Sequence, residues 1–241
     1  MRGDAVDIAR RLGEVMGLEP QARALQFKGE WSTWADLAAV GGALDAALLD
    51  AGLGEGAGVG IVLRNRPPIV GAIVGTLTTR RCVLCLSPLL PDDALADDVR
   101  ALRPAVIVAD VEDWARAPLA AAAKEVGALG LSLTGDPARP VEVVAGLEEV
   151  RGTGHASPEP GTAVSMLTSG TTGVPKRVPL RYADFSEAMR GAQEHYAGTR
   201  DDAGPRLQMG VAIISLPLVH ISGMYVVTMC VIEGRQLALM E

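Results

Sequence analysis

The chain has 241 residues, which is enough for one large domain or two small ones. Apolar residues make up 49% of it and charged residues 21%, a balance that excludes a disordered, collagen-like or disulfide-scaffold protein. The net charge of −7 argues against a nucleic-acid partner, because nucleic-acid binders carry a basic surplus.

In the first two thirds of the chain, short apolar runs alternate with helical periods, which predicts an α/β domain with mostly parallel sheet. Thr33 to Asp36 has the spacing of a capping box, and an apolar helix face follows it as far as Gly52. The elements expected after this helix are a strand at 59–63, a helix at 67–79, a strand at 83–86, a helix at 92–102, a strand at 105–109 and a helix at 111–126.

Residues 152–161 are rich in Gly, Pro, Ser and Thr and predict a surface connection. A strand at 163–167, a loop at 168–176 and a helix follow it. The run at 209–232 contains no Asp, Glu, Lys or Arg and is long enough to suggest a membrane span. Pro217 and Gly223 interrupt this run, so we interpret it as a buried strand at 211–216 and a buried helix at 222–232, and we expect no membrane span.

The three cysteines are typical of a protein from a reducing compartment, and the charged N-terminus contains no apolar signal core. We therefore expect a cytoplasmic protein. Cys82 and Cys85 have CxxC spacing, but in a strand positions i and i+3 face opposite sides, and no second pair accompanies them. We expect no metal site there.

The segment from Thr168 to Lys176 carries the strongest chemical signal. Its first six residues are four hydroxyl residues and two glycines, and they directly follow an apolar strand. Glycine lets backbone N–H groups turn toward a ligand and hydroxyls add donors, so the segment can cradle an anion. Many such clusters are only solvated turns. Here Lys176, Arg177 and Arg181 add positive charge and no carboxylate lies between 161 and 182, which favours a phosphate partner.

This segment is not a Walker A loop, because Pro175 and Arg177 stand where that motif needs Gly and Ser or Thr. It resembles instead the phosphate-loop signature of the adenylate-forming superfamily, which includes acyl-CoA synthetases, nonribosomal-peptide adenylation domains and luciferases. Other parts of the chain resemble the same family: Ser32–Leu37 its early helix start, Gly58–Asn65 its first strand and Asn-x-Pro turn, and Ser215–Gly223 its Pro-Leu-x-His-x-x-Gly motif.

The resemblance implies an α/β fold that is the N-terminal part of the large adenylate-forming domain, with mostly parallel sheets flanked by helices. We expect residues 1–160 to form a first subdomain, and residues 161–241 the phosphate loop and the start of a second. The family's later adenine, ribose and catalytic-lysine segments are absent from these residues. A truncated chain is therefore expected, which lacks the rest of the large domain and the small C-terminal domain.

The resemblance also implies a two-step reaction, in which a carboxylate attacks the α-phosphate of Mg·ATP and coenzyme A then takes the acyl group. The implied cofactors are ATP, Mg²⁺ and coenzyme A, and the implied partner is a small carboxylic acid. Lys176 and His220 would be catalytic, while His220, Gly223 and Met224 would bind the acid. The implied nucleotide-binding residues are Thr168, Ser169, Gly170, Thr171, Thr172, Gly173 and Lys176.

Aliphatic residues around His220 favour a fatty or similarly apolar acid. Three positions depart from the family pattern: Arg177 stands in place of a Gly, Tyr182 in place of a His, and Val219 in place of an aromatic residue. The alternative function is a non-catalytic nucleotide-binding module of the same fold. Because a cut sheet exposes an edge, we also expect a tendency to form homodimers.

Overall fold

The computed structural model describes residues 7–167, 176–197 and 204–240. Within them, the strands are β1 (Arg23–Phe27), β2 (Glu30–Thr33), β3 (Gly58–Val62), β4 (Cys82–Leu86), β5 (Val106–Asp110), β6 (Leu129–Leu133), β7 (Val141–Val143), β8 (Thr162–Leu167), β9 (Arg177–Arg181), β10 (Gln208–Ile214) and β11 (Arg235–Leu239). The helices are α1 (Ile8–Met16), α2 (Trp34–Asp50), α3 (Pro67–Thr78), α4 (Asp92–Leu102), α5 (Val111–Trp114), α6 (Ala117–Val126), α7 (Tyr182–Ala197) and α8 (Ile221–Ile232).

The larger of the two sheets formed by the described strands has the order β7-β6-β5-β3-β4-β8-β9. Its five inner strands are parallel, and β7 and β9 pair antiparallel at its two edges. Every residue of β3, β4 and β5 is buried, as expected for parallel strands that helices cover on both faces. This burial explains why these strands are continuous apolar runs, and their predicted bounds are confirmed to within one residue.

The smaller sheet pairs β1 and β2 with β10 and β11, in the order β10-β11-β1-β2. β1 and β2 form an antiparallel hairpin, while β11 runs parallel to both β1 and β10. β8 and β9 belong to the larger sheet, although they follow residue 160 in the sequence. The expected division into subdomains at residues 160 and 161 stays a prediction.

The helices α2 and α3 pack against each other at a close crossing. The predicted capping box begins α2: the Thr33 hydroxyl accepts from the Asp36 N–H at 3.2 Å, and the Asp36 carboxylate accepts from the Thr33 N–H at 2.7 Å. Farther along, Gly41 meets Gly75 of α3, where a Cβ on Gly75 would lie 2.4 Å from the Gly41 Cα. The two glycines therefore set the distance between the helices.

Three local expectations were wrong. The helix predicted at 111–126 is split into α5 and α6, because Pro118 in the first turn of α6 has no N–H to continue a helix from α5. Residues 177–181 form the edge strand β9, which the sequence analysis did not predict. The strand predicted as buried at 211–216 is β10, an edge strand whose Met209 and Ile213 side chains are 98% and 74% exposed.

The apolar run at 209–232 is β10, a turn and α8. Nearly all of α8 after its first turn is buried in the protein. In the part of the chain that the structure describes, no helix has both the length and the apolar character needed to cross a membrane.

Candidate active site

In the sequence, the predicted phosphate loop connects β8 to β9, which pair as an antiparallel hairpin. Leu167, the last residue of β8, pairs with Arg177, the first residue of β9. Because β8 runs parallel to β3, β4 and β5, this hairpin closes at the carboxyl edge of the larger sheet, the edge where open α/β sheets bind ligands. Lys176 is exposed at the start of β9. The other predicted nucleotide-binding residues lie outside the described residues: Thr168, Ser169, Gly170, Thr171, Thr172 and Gly173.

Arg177 is tied to α4. Its Nη2 donates to both carboxylate oxygens of Asp98, at 2.8 and 2.6 Å, and its Nη1 donates to the carbonyl of Cys85 at 3.0 Å. Both charged side chains are mostly buried, so this bidentate pair is little screened by solvent. The sequence analysis expected Arg177 to contribute positive charge to a phosphate site. In the structure this charge is paired with Asp98 instead.

Arg181, another cation near the phosphate loop, and Tyr182, which differs from the family pattern, also have structural partners. Arg181 lies 3.7 Å from Glu159 in an exposed ion pair, which contributes little to stability. Tyr182, in place of the family's His, donates its hydroxyl to the carbonyls of Arg81 at 2.7 Å and Leu77 at 3.1 Å. These bonds fix the start of α7 to the loop between α3 and β4.

Cys82 and Cys85 lie one strand away from the hairpin, on β4. Burial raises the pKa of Cys82 to about 12 and raises the pKa of Cys85 as well, while the nearby Arg177 opposes both shifts. Both thiols are free and buried, and they stay protonated at neutral pH. Buried thiols of this kind are poor nucleophiles.

His220 lies in the turn between β10 and α8, as the N-cap residue of α8. Its N–H donates to the Pro217 carbonyl at 3.0 Å, and its carbonyl accepts from the Met224 N–H at 3.0 Å. The side chain is exposed and does not cap the helix. The backbone of His220 is thus fixed by the turn, while its imidazole faces solvent.

Gly223 and Met224 lie on the buried side of this turn. A Cβ on Gly223 would lie 2.2 Å from the Pro217 carbonyl oxygen, so only glycine lets the first turn of α8 approach so closely. Met224 is fully buried in the core. Gly223 therefore shapes the turn and Met224 supports it, and contact of either residue with a substrate stays a prediction.

Asn65 connects the His220 turn to the larger sheet, a role that the sequence analysis missed. It follows β3, and its Oδ1 accepts from the Leu218 N–H at 2.9 Å. Its Nδ2 donates to the Met240 carbonyl at 2.9 Å and to the Leu216 carbonyl at 3.2 Å. Only β4 separates β3 from β8, so β3 and β8 lie about 10 Å apart. The phosphate-loop hairpin therefore starts at about this distance from the end of β3. The flanking ends of the phosphate-loop hairpin and the His220 turn therefore lie at the same edge of the larger sheet.

A cluster of arginines and carboxylates lies beside Asn65, at the carboxyl ends of β3 and β5. Arg64 binds the fully buried Asp113 in a bidentate pair at 2.7 and 2.8 Å, and this hydrogen bonding raises the pKa of Arg64. Arg66 lies 3.1 Å from the buried Asp110. Burial raises the pKa of Asp110 to about 6, and the opposing charge of Arg66 does not cancel this effect.

We expect the Asp110→Asn variant to have a different dependence of stability on pH. The folded-state pKa of Asp110 is about 6, above the ordinary aspartate pKa of 3.8, so the folded protein binds more protons than the unfolded chain between these two values. Asp110 therefore lowers the free energy of unfolding as pH rises through this range, by about 2 kcal/mol. The Asn variant lacks this decline.

Urea unfolding at about pH 4 and about pH 7 measures the difference. The control is Asp97→Asn, which removes a carboxylate that is 77% exposed on α4. If the free energy of unfolding depends on pH equally in wild type and in Asp110→Asn, the raised pKa assigned to Asp110 is contradicted.

Comparison with known proteins agrees with this architecture. The family model for AMP-binding enzymes matches residues 14–241. The chain therefore belongs to the AMP-binding enzymes, the adenylate-forming superfamily that its motifs resemble. Its fold is the N-terminal part of the adenylate-forming domain, with two largely parallel sheets flanked by helices.

Three solved structures are similar to the chain. ATP-bound MatB from Rhodopseudomonas palustris is 20% identical with a TM-score of 0.70, over 96% of this chain and 45% of that one. VinN is 19% identical with a TM-score of 0.73, over 98% and 56%. The amide bond synthetase McbA from Marinactinospora thermotolerans is 25% identical with a TM-score of 0.71, over 98% and 44%. The chain thus spans roughly half the length of these proteins. A search of curated protein sequences found no significant match.

Proposed function

We propose that the chain is part of an ATP-dependent acid–thiol ligase, which activates a carboxylic acid as its acyl-adenylate and transfers the acyl group to coenzyme A. One observation carries this proposal: Asn65 bonds the turn before His220 to the end of β3, two strands from β8. The phosphate-loop hairpin and the predicted acid site therefore lie at the same edge, as in-line attack of a carboxylate on a phosphate requires.

The phosphate-loop segment is proposed to stabilise the departing pyrophosphate. Ser169, Thr171, Thr172 and Lys176 would hold the β- and γ-phosphates of ATP, because transfer at phosphorus depends on positioning and on neutralising charge. Among the described residues no three His, Cys, Asp or Glu side chains form a metal cluster. Mg²⁺ is proposed to enter together with ATP, because it binds through substrate phosphates and only one or two protein ligands.

The acid is proposed to bind beside His220, whose exposed imidazole would orient the carboxylate. Ile221, which is 47% exposed next to His220, supports an apolar acid such as a fatty acid, whereas Leu218 and Met224 are fully buried in the core. A polar amino acid is the competing class, since VinN has been solved with L-aspartate. Coenzyme A is the proposed acceptor, and an amine is the competing acceptor because McbA is an amide bond synthetase.

We also propose that the protein is cytoplasmic and forms homodimers. Its cysteines are free, which suits a reducing compartment. The apolar side chains on edge strand β10, among them Met209 and Ile213, form a surface on which a second copy could pack.

The test is acid-dependent exchange of pyrophosphate into ATP by the whole enzyme. We expect exchange only when an acid is added, faster with octanoate than with L-aspartate. Coenzyme A should then give a thioester. Exchange with no acid present, or no exchange with any acid, would contradict adenylation. Amide formation without thioester formation would keep adenylation and change the acceptor.

A further inference from the structure

We propose that Asn65 is a positioning residue, which fixes the turn that carries His220 to the end of β3. It has no contact with the reacting atoms in this role. Its effect on catalysis rests on the proposed function, whereas its effect on the turn does not.

The hydrogen bonds of Asn65 use both the nitrogen and the oxygen of its side-chain amide. Both Nδ2 hydrogens have an acceptor, the carbonyls of Leu216 and Met240, and Oδ1 accepts from the Leu218 N–H. All three partners are backbone groups, and they lie more than 150 positions along the chain from Asn65. The amide therefore links three segments: the end of β3, the turn after β10 and the end of β11.

The turn depends on this link because its polar groups lie beyond the strand. β10 ends at Ile214, so the Leu216 carbonyl and the Leu218 N–H are past the sheet ladder. Leu218 is fully buried, and its N–H would be left without a partner if Asn65 were lost. A buried donor without a partner is costly, so the turn would have to move to reach water.

Movement of the turn reaches His220 within two residues. Pro217 lies between the two bonded residues, and its carbonyl accepts from the His220 N–H. The same carbonyl faces Gly223 of α8 at the closest approach a glycine permits. A shift of Pro217 therefore displaces the N-cap of α8 and, with it, the imidazole.

The three hydrogen bonds of Asn65 require a donor and an acceptor on one short, planar side chain. Aspartate has the same shape, but it offers no donor and would set a negative charge against the carbonyls of Leu216 and Met240. Leucine is similar in size and makes none of the bonds. Asn65→Asp therefore removes the two bonds that Nδ2 donates and keeps an acceptor for the Leu218 N–H, whereas Asn65→Leu removes all three bonds.

The sequence offers a direct readout of the link, because Asn65 is the only asparagine among the 241 residues. In the whole enzyme labelled with ¹⁵N-asparagine, the pair of side-chain amide resonances that is absent from Asn65→Leu belongs to Asn65. We expect its hydrogens to exchange with solvent at least about tenfold more slowly than those of asparagine in an unstructured peptide. Exchange at the peptide rate would overturn the proposal, whatever reaction the enzyme catalyses.

Steady-state kinetics of the whole enzyme test the consequence. We expect Asn65→Asp and Asn65→Leu to raise the KM for the acid by about tenfold and to change the KM for ATP by less than about twofold. The control is Thr33→Ala, which breaks the capping box of α2 and leaves both site segments untouched.

A general loss of stability would raise both KM values, or neither, and would make the Asn65 variants resemble the Thr33 control. Either result would overturn the positioning role. If the wild-type enzyme shows no exchange with any acid, the proposed function fails, and the solvent-exchange rate of the Asn65 amide still decides the link.

Discussion

We expect the Lys176→Ala variant of the whole enzyme to catalyse acid-dependent ATP–pyrophosphate exchange about 100-fold more slowly than wild type. Lys176 is exposed where the phosphate-loop hairpin returns to the larger sheet, at its carboxyl edge. The next residue, Arg177, is occupied by Asp98 and so cannot replace its charge. Loss of Lys176 leaves the charge that develops on the leaving pyrophosphate without its proposed partner.

The matched control is Lys124→Ala, which removes an exposed lysine from α6. We expect wild-type exchange from this control. Lys176→Arg should lie between wild type and the Ala variant, because it keeps the charge but replaces a compact ammonium with a planar group. Equal exchange by Lys176→Ala and Lys124→Ala would show that Lys176 does not act on the phosphates.

The second large effect concerns two neighbouring glycines of α2. Gly41 is buried against Gly75, and a Cβ added to it would lie 2.9 Å from the Gly75 Cα. Gly42 is exposed, with nothing within 4 Å of its added Cβ. Alanine is favoured over glycine inside a helix, so Gly42→Ala should raise the free energy of unfolding by about 0.5–1 kcal/mol. Gly41→Ala should lower it by about 1–3 kcal/mol, since the two backbones must separate.

Urea denaturation of both variants measures these changes, and each variant is the control for the other because helix propensity changes equally in both. Opposite signs are the expected outcome. If Gly41→Ala is as stable as Gly42→Ala, the two helices tolerate a wider separation and the glycine pair does not set their distance.

β6, which includes Gly130 and Ser132, was not predicted from the sequence, but the other four inner strands of the larger sheet were, because they are buried between helices. Such strands are continuous apolar runs that end at polar turns, and α4 was predicted with its observed ends, Asp92 and Leu102. Edge strands lack this pattern. β9 includes Pro179 and has mostly exposed side chains, so its composition does not predict a strand. β10 is apolar but no other element covers it, so its composition does not predict its exposure.

The site was harder to predict, since its connections are long-range. Motif resemblance identified Lys176 and the His220 turn, but it gave no partner for Arg177. That partner, Asp98, is 79 residues away in the sequence. Asn65 appeared only as part of an Asn-x-Pro turn, and its three partners depend on how the two sheets meet. Local spacing contains no information about such contacts.

The smaller sheet also imposes an order of events on folding. Leu25 of β1 pairs with Leu237 of β11, so the N-terminal hairpin leaves the ribosome long before its parallel neighbour exists. At about 5–20 residues per second, the intervening chain takes on the order of 10–40 s to synthesise. Contacts so distant in sequence also close slowly. The β1–β2 hairpin therefore waits for a strand that is synthesised much later, and during that time its β1 edge is open to other chains.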